Sequence, residues 1–155
     1  MEAVPDRMET PHNRRFDARN ELFLDVRNFI ERFCADAGVG HRAGERLTLI
    51  IEELFANTVR HGYPGADGSA ATEWPVWLTL KGSGDSIEAV YEDAAPAHDP
   101  FAKLAVPDYT GPAETWQVGG LGLVFVTRLG RDVRYERAGG HNRIRFTVAM
   151  RPSGT

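Results

Sequence analysis

The sequence has little of several features that define common classes of protein. Its 155 residues include a single cysteine, Cys34, which excludes an intramolecular disulfide and a cysteine-rich metal site. No apolar run approaches the ~20 residues that span a bilayer, and the polar start of the chain lacks the apolar stretch of a signal peptide. A basic excess is also missing, since the formal net charge is −4. We therefore expect a cytoplasmic protein with no direct contact to nucleic acid or membrane.

The length and composition are typical of one folded domain. The chain falls within the usual range of ~100–200 residues per domain. Hydrophobic residues make up 42% of it and charged residues 26%, an ordinary globular mixture. We expect a flexible leader over residues 1–12, a single domain over 13–150 and a short tail over 151–155.

The charge is distributed unevenly along the chain. Residues 61–127 carry two lysines against nine acidic residues, whereas residues 128–155 carry seven arginines against two. The acidic middle should repel a polyanion unless a cation intervenes. The basic end is either a solvated face, which is the commoner case, or a docking face for an acidic partner.

The hydrophobic pattern predicts an α+β order of elements. Helical spacing predicts three helices, over 19–37, 43–61 and 121–129. Alternation predicts five strands, over 13–17, 74–81, 87–92, 133–137 and 143–149, with turns at 82–85 and 138–142. Residues 94–120 form a long loop, and loops of this length are usually functional. The order favours a two-layer α/β sandwich, with helices on one face of a mixed, largely antiparallel sheet.

A first candidate cluster lies in the second predicted helix. Glu53, Asn57 and His61 are four residues apart, so on an α-helix they form one polar stripe beside the apolar one. A carboxylate and an amide oxygen at this spacing can position a hydroxyl and a divalent cation, because Mg²⁺ takes oxygen ligands. Incidental pairs on a solvated helix face explain the same spacing, and the helix by itself favours that interpretation.

Two further clusters follow. Asp93 ends a predicted strand beside small residues. A flat ring can approach a carboxylate there and donate a hydrogen bond to it from an exocyclic amine. A plain turn carboxylate is the commoner explanation.

Glycines 119, 120 and 122 open the third predicted helix, whose N–H groups favour a phosphate, although packing also selects glycine there. The surrounding residues fit neither a Rossmann fingerprint nor a Walker motif.

Taken in this order, the clusters resemble the nucleotide-binding boxes of the GHKL ATPase superfamily, which has the Bergerat fold. Within it they are most similar to the small anti-sigma-factor serine kinases of bacteria. Glu53–Tyr63 resembles the N box, and Asp93 with Asp99-Pro100-Phe101 resembles the first glycine box. Gly119–Leu123 and the hairpin that follows resemble the second glycine box and the closing hairpin. The resemblance covers residues 14–149.

The resemblance implies a role for each matching residue. Glu53 matches the general base, Asn57 the Mg²⁺ ligand, and Asp93 the carboxylate that reads the adenine amine. Residues 101–118 would form the ATP lid. Ala95 stands where the family usually has glycine. The residues expected at the cofactor are Asn57, Arg60, His61, Asp93, Ala95, Gly119, Gly120, Leu121, Gly122 and Leu123.

The implied function is that of an ATP- and Mg²⁺-dependent serine/threonine protein kinase in a partner-switching pathway. Such a protein holds a sigma factor until an unphosphorylated anti-anti-sigma antagonist of the STAS type displaces it, and it works as a homodimer. The alternative is a binding module of the same fold with weak nucleotide binding or none. Ala95 favours that alternative, because its methyl would crowd adenine or forbid a positive φ. Plain ATP hydrolysis also stays open, whereas a detached sensor histidine kinase domain is disfavoured.

Overall fold

A computed structural model describes residues 10–63, 73–102 and 121–150. Its strands and α-helices in chain order are β1 (His12–Asp17), α1 (Phe23–Ala37), α2 (His41–Asn57), β2 (Pro75–Ser83), β3 (Ser86–Asp93), α3 (Leu121–Leu129), β4 (Arg131–Ala138) and β5 (His141–Ala149). A 3₁₀ turn, Asn20–Leu22, precedes α1, and a π-helical turn, Thr58–Gly62, follows α2. The predicted order of elements is confirmed. Within these three ranges every helix is too short or too polar to cross a bilayer.

The five strands form one sheet in the order β1-β2-β3-β5-β4, and every pairing in the described part of the chain is antiparallel. The α+β two-layer sandwich is therefore confirmed. The predicted five-residue connection at 138–142 is wrong in length, because Ala138 pairs with His141. The turn consists of Gly139 and Gly140 alone, both at positive φ, as a tight hairpin requires. This register places Asn142 within β5, between Asp93 of β3 and Arg137 of β4.

The core lies between one face of the sheet and the helices. Alternate residues of the central strands point into it, among them Val76, Leu78 and Leu80 of β2. Helical spacing brings the apolar stripes of α1 and α2 onto the same layer. Each large side chain buried there contributes about 1.5–3 kcal/mol. Its fully buried members include Val26, Ile30, Phe33, Leu47, Ile50, Ile51, Leu54, Phe55, Val76, Leu78, Leu80 and Ile87.

The second predicted helix is corrected at its end. The α-helix stops at Asn57, and residues 58–62 form a wider π turn with a bond pattern of i to i+5. A π turn changes the angular position of each following side chain relative to an α-helix. His61, within this turn, is exposed, whereas Glu53 and Asn57 are half-buried.

The sheet face away from the helices carries an ionic network. Glu92 accepts hydrogen bonds from Nε of Arg143 at 2.5 Å and from the Nδ1 side of the His141 ring at 2.9 Å. Glu136 binds Arg143 and Arg145, each at 3.1 Å. Burial raises the pKa of Glu92, but hydrogen bonds from Arg143 and then His141 outweigh it, so the net pKa is below the ordinary 4.5.

This network predicts a pH dependence of stability. A carboxylate with a lowered folded-state pKa stabilises the fold above its unfolded-state pKa, and this contribution is lost as the pH falls through the folded-state value. We expect the free energy of unfolding to fall more steeply below pH 4.5 in the wild type than in Glu92→Gln. The extra loss in the wild type should total roughly 1 kcal/mol or less. Urea denaturation at several pH values measures both slopes. Equal slopes would contradict the assignment.

Candidate functional site

The three clusters found in the sequence meet at the C-terminal half of α2. Thr58, directly after Asn57, lies 3.3 Å from the Asp93 carboxylate at the end of β3. On the adjacent side, Glu53 packs against the first turn of α3, where a Cβ on Gly122 would lie 1.8 Å from Oε2 of Glu53. Residues from α2, β3 and α3 therefore line one region.

Asp93 is a buried carboxylate, with 7% of its surface exposed. Its Oδ1 accepts hydrogen bonds from the backbone N–H of Ala95 at 3.1 Å and from Nδ2 of Asn142 at 2.9 Å. Its Oδ2 lies 3.3 Å from the hydroxyl of Thr58. No cation pairs with Asp93 among the residues that the structure describes. Because Oδ2 is the less saturated oxygen, it is the atom suited to an additional donor.

Asn142 joins this carboxylate to the segment that follows β3. Besides its bond to Asp93, its Nδ2 lies 3.0 Å from the carbonyl oxygen of Pro96 and 3.3 Å from that of Ala95. One amide group thereby contacts the carboxylate and the backbone of residues 95–100, which form the wall beside it. The position of Asp93 relative to this wall depends on Asn142.

The other end of the Asn142 amide fixes its orientation. Oδ1 accepts from the hydroxyl of Tyr135 at 2.6 Å, from the backbone N–H of His98 at 3.1 Å and from Nη1 of Arg137 at 3.2 Å. Arg137 also donates to the carbonyl oxygen of Ala95 at 2.7 Å. Since donors surround Oδ1 and acceptors surround Nδ2, the opposite amide orientation would lose every one of these bonds.

Thr58 and Tyr91 support Asp93 from the core side. The two hydroxyls lie 2.7 Å apart, and Thr58 also lies 3.2 Å from the carbonyl oxygen of Leu54. Burial raises the pKa of Tyr91 well above its ordinary value, so the Tyr91 hydroxyl keeps its proton and can donate a hydrogen bond to Thr58. Thr58 then has its own proton available for Leu54 or Asp93.

Tyr63 fixes the backbone immediately after Asp93. Its hydroxyl donates to the carbonyl oxygen of Pro75 at 2.5 Å and accepts from the N–H of Ala94 at 2.7 Å. Burial raises the pKa of Tyr63 to about 12, so the hydroxyl stays neutral and serves both bonds. The segment after the π turn is thereby tied to the start of β2 and the end of β3.

Ala95 is buried and lies beside Gly62. A Cβ on Gly62 would lie 2.9 Å from Cγ2 of Thr58 and 3.8 Å from Cβ of Ala95. The positive φ considered for this position is absent, because Asp132 is the one non-glycine residue with positive φ in the described ranges. The methyl is accommodated without backbone strain but still narrows the site.

The cavity in front of Asp93 is small. Its volume is about 20 Å³, which is room for about one water molecule. Its lining includes Asn57, Thr58, Asp93, Ala95, Pro96 and Asn142. Hydrogen bonds from Asn142 and Arg137 hold the wall that closes it.

The remaining predicted site residues differ in position. Arg60 and His61 are exposed and lie outside the lining of the cavity. Leu123 is half-buried and packs against the core. Leu121 begins the backbone of α3, which starts at the predicted residue. Gly119, Gly120 and residues 103–118 of the predicted lid lie outside the described residues.

Sequence reasoning missed the residues that hold Asp93 in place. Thr58, Tyr91, Tyr135, Arg137 and Asn142 had no predicted role. One signal for Asn142 was present, because it continues the core-facing alternation of Ile144, Phe146 and Val148 with a polar side chain. A polar residue in such a row needs hydrogen-bond partners.

Two comparisons with known proteins identify relatives of the chain. The sequence model of the histidine kinase-like ATPase domain matches residues 16–148. A crystal structure of the RsbU and RsbW domains of a Mycobacterium tuberculosis protein is similar, with a TM-score of 0.61, 18% sequence identity and 90% of this chain covered. The present chain corresponds to 32% of that longer chain. No curated protein matches. The structural likeness shows a shared fold.

Proposed function

The chain belongs to the histidine kinase-like ATPase domain family, and we propose that it binds ATP with Mg²⁺ and phosphorylates a serine or threonine of an anti-anti-sigma protein. One observation carries the nucleotide part of this proposal: Asp93 is a buried carboxylate with three hydrogen-bond donors and no cation among the described residues. Burying an ionised carboxylate is costly unless it is hydrogen-bonded, so such a residue is expected where it has a task.

Asp93 would read the adenine base. Its Oδ1 is already occupied by Asn142 and Ala95, which leaves Oδ2 to accept a hydrogen bond from the exocyclic amine. Inosine has a carbonyl oxygen where adenosine has this amine, so two acceptors would face each other. The proposal therefore predicts a clear preference for adenine over hypoxanthine nucleotides.

Glu53 and Asn57 would act at the phosphates. No group of three or more His, Cys, Asp or Glu side chains suited to a metal occurs in the described part of the chain, so Mg²⁺ would be held by Asn57 together with phosphate oxygens and water. Mg²⁺ supplies neutralisation of the charge that develops during phosphoryl transfer. Glu53 would accept the proton of the attacking hydroxyl, and the N-terminus of α3 beside it favours an anion.

The regulatory part of the proposal concerns protein partners. We propose that the chain acts as a cytoplasmic homodimer that binds a sigma factor and is opposed by a STAS-type antagonist. The fold shared with a structure that contains an RsbW domain supports this assignment, as does the resemblance of the sequence boxes. Phosphorylating the antagonist would restore sigma-factor capture.

A specific observation also favours the alternative of a protein-binding module with weak nucleotide affinity. The cavity of about 20 Å³ in front of Asp93 is too small for a purine, and the Ala95 methyl lines it. Adenine could enter only if the wall formed by residues 95–100 moved. Ala95→Gly would enlarge the site.

A titration separates the two functions. The proposed kinase should bind ATP–Mg²⁺ in calorimetry, prefer ATP to inosine triphosphate, and transfer labelled γ-phosphate to a purified STAS-type antagonist. We expect Ala95→Gly to strengthen ATP binding by up to about tenfold, a gain of 1.4 kcal/mol. Absence of binding at millimolar ATP in both proteins would favour the module. ADP release without an acceptor protein would indicate plain hydrolysis.

A further inference from the structure

A groove runs between α1 and α2 on the outer surface of the helical layer. Its volume is about 710 Å³, far larger than the cavity in front of Asp93. Gly44 on its floor and Glu53 of the candidate nucleotide site are nine residues apart on α2, which places them on opposite sides of the helix. The groove is therefore separate from the nucleotide site.

Gly44 is the most informative residue of the groove floor. It lies in the second turn of α2, where alanine would stabilise the helix. Its φ is not positive, and among the described residues an added Cβ would meet only Sγ of Cys34, at an ordinary contact distance of 3.5 Å. Neither the backbone nor the neighbouring side chains require glycine here. Close approach by a group from outside the chain does explain it.

Exposed leucines border this floor. Leu24 is 65% exposed and Leu49 is 43% exposed, and they are two of the three large hydrophobic residues exposed in the described ranges. Leu49 lines the groove, and Leu24 lies on α1 one turn before Arg27, another lining residue. Together with Ile30 and Cys34, Leu49 gives the groove an apolar lining.

The rim of the groove carries an acidic excess. Three carboxylates line it, from Glu31, Glu45 and Glu52, against the single guanidinium of Arg27. Glu52 binds Arg27 at 2.6 Å, and Glu45 contacts His41, which is charged only when protonated. No cation pairs with Glu31 among the described residues. Glu31 and Glu45 are thus available to a cationic partner.

We propose that the groove between α1 and α2 binds an amphipathic helix of a partner protein, with apolar residues on the Gly44 floor and Lys or Arg beside Glu31 and Glu45. A helix suits this site because a third helix can pack into the groove between two others. The α2 lining runs from His41 to Glu52, a rise of about 16 Å, which equals three turns of a bound helix. The proposal does not depend on nucleotide binding.

Cys34 provides a reporter at the groove floor. It is the one cysteine of the chain, so a thiol reagent labels a single site. Burial raises the pKa of Cys34 to about 11, which makes alkylation slow enough to follow by mass spectrometry. A helix seated in the groove should cover this thiol and slow its alkylation further.

The test uses a synthetic amphipathic peptide of about four turns, with leucines on one face and lysines beside it. A matched peptide carries glutamate in place of lysine. We expect the lysine peptide to bind by fluorescence anisotropy and to slow Cys34 alkylation by about tenfold at saturation. The glutamate peptide should do neither. Binding without protection of Cys34 would overturn the proposal, because the peptide would then lie elsewhere.

Variants of the chain sharpen the test. Gly44→Ala should raise the melting temperature by about 2–4 °C, yet weaken peptide binding, by about tenfold. Glu31→Lys should weaken binding similarly, whereas Glu88→Lys, the same charge change on the exposed sheet face, should not. Unchanged affinity in Gly44→Ala, or equal losses in the two charge variants, would overturn the proposal. If the wild type sediments as a dimer and Gly44→Ala dissociates that dimer, the proposal would also be overturned, and the groove would instead bind a second copy of this chain.

Discussion

Replacing Asn142 by aspartate is expected to destabilise the fold by about 2–4 kcal/mol at neutral pH. The change is nearly isosteric, but it replaces the Nδ2 donor with an oxygen. That oxygen would face Oδ1 of Asp93 at 2.9 Å and the carbonyl oxygens of Pro96 and Ala95 at 3.0 and 3.3 Å. Like charges and unpaired acceptors in a buried place are strongly unfavourable. Arg137, 3.2 Å from Oδ1 of Asn142, limits the loss but does not restore the donor.

The same variant should show a characteristic pH dependence. Two carboxylates in contact bind one proton more readily, so the shared proton is taken up at a raised pKa. A group whose pKa is raised in the folded state stabilises the fold increasingly as the pH falls. The difference in free energy of unfolding between the wild type and Asn142→Asp should therefore shrink in acid. Urea denaturation across pH measures it. Asn13→Asp is the matched control, since Asn13 is exposed and donates to Thr79, and we expect a change within about 0.5 kcal/mol.

A nucleotide readout separates positioning from plain stability. If Asn142 fixes Asp93 for base recognition, Asn142→Asp should weaken ATP binding by at least about tenfold, measured at a temperature where the variant is folded. It should also reduce the preference for ATP over inosine triphosphate. A variant that is destabilised but keeps wild-type affinity and preference would contradict the positioning role. Stability equal to wild type at neutral pH would contradict the hydrogen-bond network itself.

Much of the fold was predictable because its periodicity is strong. Alternation in Val76, Leu78 and Leu80 has period two, and the apolar stripe through Ile30 and Phe33 has a helical period; these two signals depend on local sequence. The predicted start and end of α3, at Leu121 and Leu129, are confirmed. The clusters around Glu53 and Asp93 were found for the same reason, as side chains at ordered spacings.

What the sequence left open depends on contacts between distant residues. The bond from Asn142 to Asp93 joins positions 49 residues apart and follows from strand register, which a two-residue rather than a five-residue turn determines. The π turn after Asn57 was also missed, because the residues that follow have no local signal against a continued α-helix. Tertiary contacts made there by Thr58 and Tyr63 accompany the change of helix type.

Replacing Glu53 by glutamine should lower the rate of phosphoryl transfer to a STAS-type antagonist by about 10²–10⁴-fold, the contribution typical of a general base. Glutamine keeps the size of the side chain, so the packing against Gly122 is preserved and ATP affinity should stay within about threefold of wild type. Loss of kcat with retained affinity is the signature of a group that acts in the transition state. Single-turnover transfer of labelled phosphate measures the rate, and calorimetry the affinity.

The chain contains a matched control for this experiment. Glu52 is the adjacent carboxylate on α2, but it binds Arg27 on the side of the groove, away from Gly122. Glu52→Gln makes the same chemical change one residue away, and its kcat should stay near that of wild type. Equal losses in both variants would show a general effect of removing negative charge from α2. Full activity in Glu53→Gln would assign the proton to another acceptor, since glutamine cannot take it at neutral pH.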